Sequence, residues 1–261
     1  METLLVYVAL GIGAGLLAGM LGVGGGQVVV PGLLYLFHLN HFPEQHLVHL
    51  ALGTSLATIA VTSLSSAWSH SRLGSISVAL ARRMAPGIVV GAVIGGLMAG
   101  LFPSHALKIG FGVFLILLAV QMAFSLKPKP GRDLPHGMGV SLVSAVIGWV
   151  SAIVGVGGGS MVVPYLTWGN VEMKTAVGTA SACGFFLAIA GMVGYVISGW
   201  NAPGLPQYSI GYVYLPAFLA VSLLSIVFTR VGAMLAHRLP VATLKRVFSI
   251  CLLVAGVRIL L

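Results

Sequence analysis

The strongest constraint on the fold of this chain of 261 residues is a ten-residue segment that occurs twice, each time inside a long apolar stretch. Residues 22–31 read GVGGGQVVVP and residues 155–164 read GVGGGSMVVP, with eight of the ten positions identical. Three adjacent glycines are unfavourable inside a helix, because each costs about 1 kcal/mol relative to alanine. Irregular backbone at membrane depth is tolerated only where it is buried in protein or lines a wet cavity. Two such interruptions, one in each half, indicate a central binding site that both halves form.

The composition places these segments in a lipid bilayer. Hydrophobic residues make up 58% of the chain and charged residues 7%, and the mean hydropathy is +1.08. Soluble domains carry about 25% charged residues, so we expect an all-α polytopic membrane protein. The net charge of +9 is then assigned to loops that orient the protein, and no nucleic-acid partner is expected. The first residues, Met1-Glu2-Thr3, lack the basic region of a signal peptide, so we expect the first segment to be retained.

The apolar segments divide the chain into two similar repeats. Residues 1–126 form the first predicted repeat, residues 137–261 form the second, and the hydrophilic segment 127–136 links them. Each repeat is expected to contain one glycine-broken segment and three spanning helices. The broken segments are 3–37 and 138–168, and the predicted spans are 45–68, 84–102, 107–126, 173–200, 210–229 and 244–261. A Gly-Thr pair follows each broken segment, at 53–54 and 178–179, which supports an internal duplication.

The positive charges favour an inverted relation between the repeats. If each broken segment crossed the membrane once, the loop cations would divide six to six between the two sides. If each one entered and left on the same side, as a re-entrant hairpin, eleven cations would lie on one side and Lys108 alone on the other, with Arg258 uncounted. Cytoplasmic loops carry the excess of Lys and Arg. We therefore expect inverted repeats with both termini outside the cytoplasm and the 127–136 linker inside.

The lengths of the two limbs leave the shape of the broken segment open. About 18 residues precede Gly22, enough to cross nearly the whole hydrocarbon core, whereas about 11 residues follow Gly26. A symmetric hairpin does not follow from these lengths. A re-entrant hairpin and a full span followed by a half-length helix both fit.

These motifs resemble those of a known family. The paired GxGGGxxxVP segments, the half-length repeat and the Gly-Thr pairs resemble the sulfite exporter TauE/SafE family of bacterial membrane permeases. The resemblance covers essentially the whole chain. It implies an inner-membrane permease for small sulfur-containing or other organic anions, such as sulfite or sulfonates.

The glycine segments are the first predicted substrate-binding residues. Glycines let an oxyanion approach the backbone closely, and helices that start near Gln27 and Ser160 would offer unpaired N–H groups and partial positive charge. Close helix packing is the alternative role for such glycines, and it is the better account of the small-residue period at Gly87, Gly91 and Gly95. The predicted binding residues here are Gly24, Gly25, Gly26, Gln27, Gly157, Gly158, Gly159 and Ser160.

Hydroxyl groups on the spans that follow are expected to complete a polar cavity. Thr54, Ser55, Thr58 and Thr62 fall within one helical neighbourhood and so can share a face. Hydrogen bonding between helices is the alternative role for these groups. The hydroxyl residues in the predicted site are Thr54, Ser55, Thr179 and Ser181.

The scarcity of acidic residues favours an anionic substrate. Glu2, Glu44, Asp133 and Glu172 all lie at predicted span ends or in loops. Coupling through a buried carboxylate is therefore not expected. The chain contains no catalytic or nucleotide-binding motif, so we expect a secondary transporter that is not an enzyme and needs no cofactor. A homo-oligomer is left open.

A cluster of histidines suggests a second function. His38, His41, Glu44, His46 and His49 fall within twelve residues, and imidazoles with a carboxylate suit Zn, Ni or Cu. If the cluster binds metal, the alternative function is permeation of divalent metal ions. We favour the other interpretation, in which the cluster is a solvated outer loop with incidental histidines.

The two cysteines are expected to be small buried hydrophobic residues. Cys183 and Cys251 both lie in apolar segments, and neither has a CxxC or metal-ligand neighbour.

Overall fold

Ten α-helices and one short hairpin make up the part of the chain that the computed structural model describes, residues 2–21, 24–124, 138–236 and 241–261. The half of the chain that the sequence predicts as the first repeat, called the first repeat below, contains α1 (Glu2–Leu21), α2 (Gly26–Leu39), α3 (Glu44–Arg72), α4 (Val78–Ala99) and α5 (Ser104–Ala123). The second contains α6 (Met138–Ile153), α7 (Gly159–Trp168), α8 (Met173–Ser198), α9 (Leu215–Ala236) and α10 (Val241–Leu260). Strands β1 (Ser209–Ile210) and β2 (Val213–Tyr214) pair antiparallel before α9.

Five of these helices are long and apolar enough to cross a membrane, namely α3, α4, α5, α8 and α9. The expectation of an all-α polytopic membrane protein is confirmed. Of these five, α3 is the most buried, which makes it the central helix of the bundle. It packs against α8, its counterpart in the second repeat.

One helix of each repeat, α4 or α9, packs mainly on helices of the other repeat. Helix α4 packs on α6 and α8 of the second repeat, whereas α9 packs on α1 and α3 of the first. Helices α5 and α10 pair with each other. The packing of α4 on α6 and α8 thus corresponds to the packing of α9 on α1 and α3. Each repeat therefore contributes one helix to the packed core of the other.

Glycines allow the exchanged helices to approach closely. Gly87, Gly91 and Gly95 face α6, and a Cβ atom on any of them would overlap a backbone carbonyl oxygen of that helix. At the corresponding contact between α1 and α9, a Cβ atom on Gly15 would lie 2.6 Å from the carbonyl oxygen of Ser225. The packing role assigned to the glycine period of α4 therefore agrees with its contacts.

Helix α2 runs back along α1 after the first glycine segment. A Cβ atom on Gly25 would lie 2.7 Å from the carbonyl oxygen of Ala14, and one on Gly32 would overlap the side chain of Leu10. The first limb has 20 residues and the second 14, and the corresponding limbs α6 and α7 have 16 and 10. Each broken segment thus consists of a longer first helix and a shorter second one.

Several boundaries differ from the predicted spans. Helix α4 starts at Val78 instead of residue 84, because Ser77 caps it by accepting a hydrogen bond from the N–H of Leu80 and the exposed Arg82 and Arg83 lie within it. The hairpin of β1 and β2 occupies the start of the predicted span 210–229, so α9 begins at Leu215. The linker 127–136 lies outside the described residues.

The expectation for the cysteines is half right. Cys183 is buried, whereas Cys251 is exposed. Apolar surroundings in the sequence did not distinguish the two, because an apolar side chain on a membrane helix can face either the protein interior or the lipid.

The two ends of the bundle differ in charge. One end, here called the histidine end, carries the α2–α3, α4–α5 and α8–α9 connections; His46 and His49, near the start of α3, contact the last two of these. Its described cations are Lys108 and Arg258. The other, here called the arginine end, carries the α3–α4 and α7–α8 connections, and its described cations are Arg72, Arg82, Arg83, Lys174 and Arg230.

We expect the arginine end to face the cytoplasm, because cytoplasmic loops carry the excess of Lys and Arg. Single cysteines at Asn201 of the histidine end and Leu73 of the arginine end, both exposed, test this in a background with Cys183→Ala and Cys251→Ala. A membrane-impermeant maleimide on intact cells should label Asn201→Cys and leave Leu73→Cys unlabelled until the cells are opened. The reverse pattern would show that the orientation is wrong.

Candidate functional site

The two glycine segments meet inside the bundle. We call residues 24–26 the first glycine turn and residues 155–159 the second. A Cβ atom on Gly24 would lie 3.5 Å from the Cα of Gly157, and one on Gly26 would lie 3.0 Å from the carbonyl oxygen of Gly155. All the residues of both turns are buried. Gly22 and Val23, which begin the first motif, lie outside the described residues.

Backbone geometry explains why glycine occupies these positions. Gly24, Gly25 and Gly155 have φ angles of 78°, 76° and 66°, in the left-handed region that other L-residues rarely adopt. The left-handed Gly25 is the N-cap of α2. The turn therefore reverses the chain and directs the start of α2 toward the opposite repeat.

The short helices α2 and α7 both begin at the meeting point of the glycine turns. Helix α2 starts at Gly26 and α7 at Gly159, so two helix N-termini with their partial positive charge lie together. Pro31 and Pro164 are the sixth residues of these helices, so the prolines do not mark their starts.

Gln27, the second residue of α2, has an unsatisfied amide. Its side chain is 2% exposed, and its Nε2 has no hydrogen-bond partner within the described chain. Such orphan donors are rare in native interiors. At the corresponding position of α7, the Ser160 hydroxyl donates to the carbonyl oxygen of Gly157 at 3.1 Å. The repeats thus differ at this position: one donor is free and the other is used.

Hydroxyl groups of α3 bind both turns. Ser55 donates to the carbonyl oxygen of Gly155 at 3.0 Å, across the repeat boundary, and Thr62 donates to that of Gly24 at 3.1 Å. Since carbonyl oxygens repel anions, these bonds reduce the negative potential at the turns. Ser55 belongs to the predicted site. Thr62 is not among the predicted site residues, although it lies two helical turns after Ser55 and so can share its face.

The hydroxyl groups of Thr54 and Thr179, which the sequence predicts in the binding site, form hydrogen bonds with the backbone of connecting segments. The Thr54 hydroxyl oxygen accepts from the N–H of Tyr214 at 2.9 Å, and that of Thr179 accepts from the N–H of Ser77 at 3.1 Å. Thr54 thereby holds the connection that leads into α9, and Thr179 holds the connection that leads into α4. Their neighbours Gly53 and Gly178 give these connections room, because a Cβ there would crowd the carbonyl oxygens of loop residues 212 and 75.

Ser181 also lies in an interhelical contact. Its hydroxyl is 3.0 Å from that of Ser66 and donates to the carbonyl oxygen of Val177 at 3.0 Å. These contacts join α3 to α8. The structure therefore brings Ser55, Gln27, Ser160 and the glycines together, and it places Thr54, Thr179 and Ser181 in helix and loop contacts.

Charge is absent from the described interior. Among the side chains that the structure describes, the buried polar ones are Gln27, His49 and a set of serines and threonines. No Asp, Glu, Lys or Arg is among them. The polar groups at the glycine turns are thus helix N-termini, the Gln27 amide, hydroxyls and backbone carbonyl oxygens.

The histidine cluster does not assemble into a metal site. His49 is buried, and its ring nitrogens lie 3.1 Å from the Ser104 hydroxyl and from the carbonyl oxygens of Ala99 and Phe102. His46 contacts the carbonyl oxygen of Pro203. Within the described ranges, no three His, Cys, Asp or Glu side chains lie close enough to hold a metal ion. These two histidines instead join the loops of the histidine end.

Comparison with known proteins agrees with the sequence motifs. The family model described as sulfite exporter TauE/SafE matches residues 7–259. A probable membrane transporter protein of Haemophilus influenzae is 38% identical over 99% of this chain and 98% of its own length. The probable membrane transporter protein YunE of Bacillus subtilis is 28% identical over 74% of this chain and 78% of its own. The probable membrane transporter protein MJ0441 of Methanocaldococcus jannaschii is 28% identical over 98% of this chain and 95% of its own length.

No solved structure matches the chain. The relatives are named as membrane transporters, which supports a transporter and not an enzyme. Together with the five apolar helices, they identify a multi-pass membrane protein, and its bacterial relatives fit the inner membrane. Since the family model covers nearly the whole chain, this protein belongs to the sulfite exporter TauE/SafE family of membrane transporters.

Proposed function

We propose that the protein is a secondary transporter of small anions, sulfur-containing oxyanions such as sulfite or organosulfonates among them, and that it binds them between the two glycine turns. The observation that carries this proposal is the buried Gln27 amide, whose Nε2 has no partner within the described chain, at the start of α2. An unsatisfied buried donor is costly, and a bound oxyanion would satisfy it.

The electrostatics of the turns favour an anion over a cation. Two helix N-termini, each with about half a positive charge, lie next to Gln27. Ser55 and Thr62 engage the carbonyl oxygens of Gly155 and Gly24, which a cation would otherwise use as ligands. Since no buried carboxylate is described, a divalent metal would find no charged ligand there.

The absence of a buried cation suits a protein that must release what it binds. A buried arginine would hold an oxyanion with strong bidentate hydrogen bonds, whereas partial charges and neutral donors bind it less tightly. The nearest cations in sequence to the α3 and α8 portions of the site are Arg72 and Lys174, and both are exposed at the arginine end.

We further propose that the repeats are inverted in the membrane and move against each other around the turns. The glycine turns lie at the α3–α8 contact, which joins the first-repeat and second-repeat helices. Each turn is contacted by the opposite repeat, through Gly24 to Gly157 and through Ser55 to Gly155. A relative movement of α3 and α8 would therefore open the site in alternation to the two ends.

The proposal is tested with purified protein in liposomes. Uptake of labelled sulfite, a short organosulfonate and Zn²⁺ is compared with uptake by protein-free liposomes. We expect saturable anion uptake, and no protein-dependent Zn²⁺ uptake. Zn²⁺ uptake without anion uptake would refute the proposal and favour the divalent-metal alternative.

A further inference from the structure

Two arginines from different helices lie over one exposed tryptophan at the arginine end. The Cζ atom of Arg72 is 4.0 Å from the ring centroid of Trp68, and the Cζ atom of Arg230 is 5.3 Å from it. Arg72 lies one turn after Trp68 on α3, so the two share a helix face. Arg230 comes from α9. The ring thus brings two guanidinium groups of like charge to one place.

The structure contains little to balance these two charges. The acidic side chains that it describes are Glu44, at the opposite end of α3, and Glu172, the N-cap of α8. No ion pair joins either of them to an arginine within the described chain. A bound anion would relieve the repulsion between the guanidinium groups, and their planar donors match the geometry of phosphate.

The surface next to the arginines is apolar and exposed. Leu64, one turn before Trp68, is 53% exposed, and Val227, one turn before Arg230, is 59% exposed. Exposed apolar side chains on helices that cross a membrane are positioned to contact lipid tails. Tryptophan is enriched where the hydrocarbon meets the headgroups, and Trp68 itself is 44% exposed. Cationic groups at one end of an apolar, tryptophan-bordered surface match the phosphate and the acyl chains of a phospholipid.

This arrangement occurs at one end of the bundle. With the Gly-Thr pairs of the repeats aligned, Trp68 and Arg72 correspond to Val193 and Ile197 near the histidine end. The second repeat therefore has no counterpart of the pair at those positions. The arginine end is the end that the cation count assigns to the cytoplasmic leaflet, where anionic lipids concentrate.

We propose that Arg72, Arg230 and Trp68 bind the phosphate headgroup of an anionic phospholipid, with its acyl chains along Leu64 and Val227. Bound there, the lipid links α3, whose Thr62 holds the first glycine turn, to the exchanged helix α9. Lipid binding should therefore stabilise the packing of α9 on the first repeat.

The test uses delipidated full-length protein in detergent, titrated with short-chain phosphatidylglycerol, with phosphatidylcholine of the same chain length, and with inorganic phosphate. We expect phosphatidylglycerol to raise the thermal unfolding midpoint saturably by about 4 °C or more, and native mass spectrometry to show its retention. Equal effects of the two lipids would overturn the proposal. An equal effect of inorganic phosphate would assign the site to a free anion and overturn the lipid assignment.

Matched variants locate the site. Arg72→Gln/Arg230→Gln should weaken phosphatidylglycerol binding at least about tenfold, and Trp68→Leu should weaken it as well. Arg82→Gln/Arg83→Gln removes the same charge from exposed positions of the same end and should leave binding unchanged. A similar loss in both double variants would show nonspecific attraction, and the proposal would then fail. If Arg72→Gln/Arg230→Gln does not fold, the two single variants are compared by retention in native mass spectrometry, where unchanged retention in both overturns it.

Discussion

Replacing Gln27 with glutamate should reduce anion transport at least about a hundredfold. The change converts the buried Nε2 donor into an acceptor with nearly the same shape. A hydrogen bond to a charged group contributes about 1.5–3 kcal/mol, and the carboxylate would add repulsion of the anion. The measurement is the initial uptake rate in liposomes against concentration, for the anion that the wild-type protein transports.

Two further variants separate charge from packing at this position. Gln27→Leu removes the donor without adding charge and should cost about tenfold or more, while the fold should persist because no hydrogen bond of Nε2 is lost. Ser160→Ala is the matched control in the second repeat. Its hydroxyl already donates to Gly157, so its effect should be smaller than that of Gln27→Leu. Normal transport by Gln27→Leu would remove the amide from the proposed site.

The sequence contained enough information to predict the membrane fold. Hydropathy and the duplicated glycine segments predicted two broken segments and the α-helical class, because apolar length and adjacent glycines act locally. The exchange of α4 and α9 between the repeats was not predicted, since it depends on which helix surfaces fit together. The glycines of α4 permit that contact, but they do not specify α6 as the partner.

The candidate site shows the same division between local and long-range information. The places of the helix breaks could be predicted from the two glycine segments, where Gly24 and Gly155 have the left-handed backbone that other residues rarely adopt. The partners of the hydroxyl groups could not. Thr54 and Ser55 are adjacent in sequence, yet Ser55 bonds to Gly155 and Thr54 accepts from Tyr214. A helix turns by about 100° per residue, so neighbouring residues face different partners.

Alanine substitutions at Gly25 and Gly158 should separate folding from transport. Gly25 has a φ of 76°, and its Cβ would lie 2.7 Å from the carbonyl oxygen of Ala14. Gly25→Ala therefore adds about 1–2 kcal/mol of backbone strain together with a steric clash. We expect a lower unfolding midpoint and less protein in the membrane.

Gly158 differs, because its φ of −57° suits any residue and the atoms nearest to an added Cβ, on Val162, Gly184 and Leu187, lie 3.4–3.5 Å away. Gly158→Ala should fold with wild-type stability, since the methyl group fits in ordinary contact. It also occupies space beside the start of α7, where the proposed anion approaches the backbone, so uptake should fall about tenfold or more through a higher KM. Thermal unfolding and concentration-dependent uptake, measured on the same preparation, distinguish the two effects. Wild-type uptake by stable Gly158→Ala protein would leave the second glycine turn with a packing role alone, because a binding surface cannot gain a methyl group at the point of closest approach without loss of affinity.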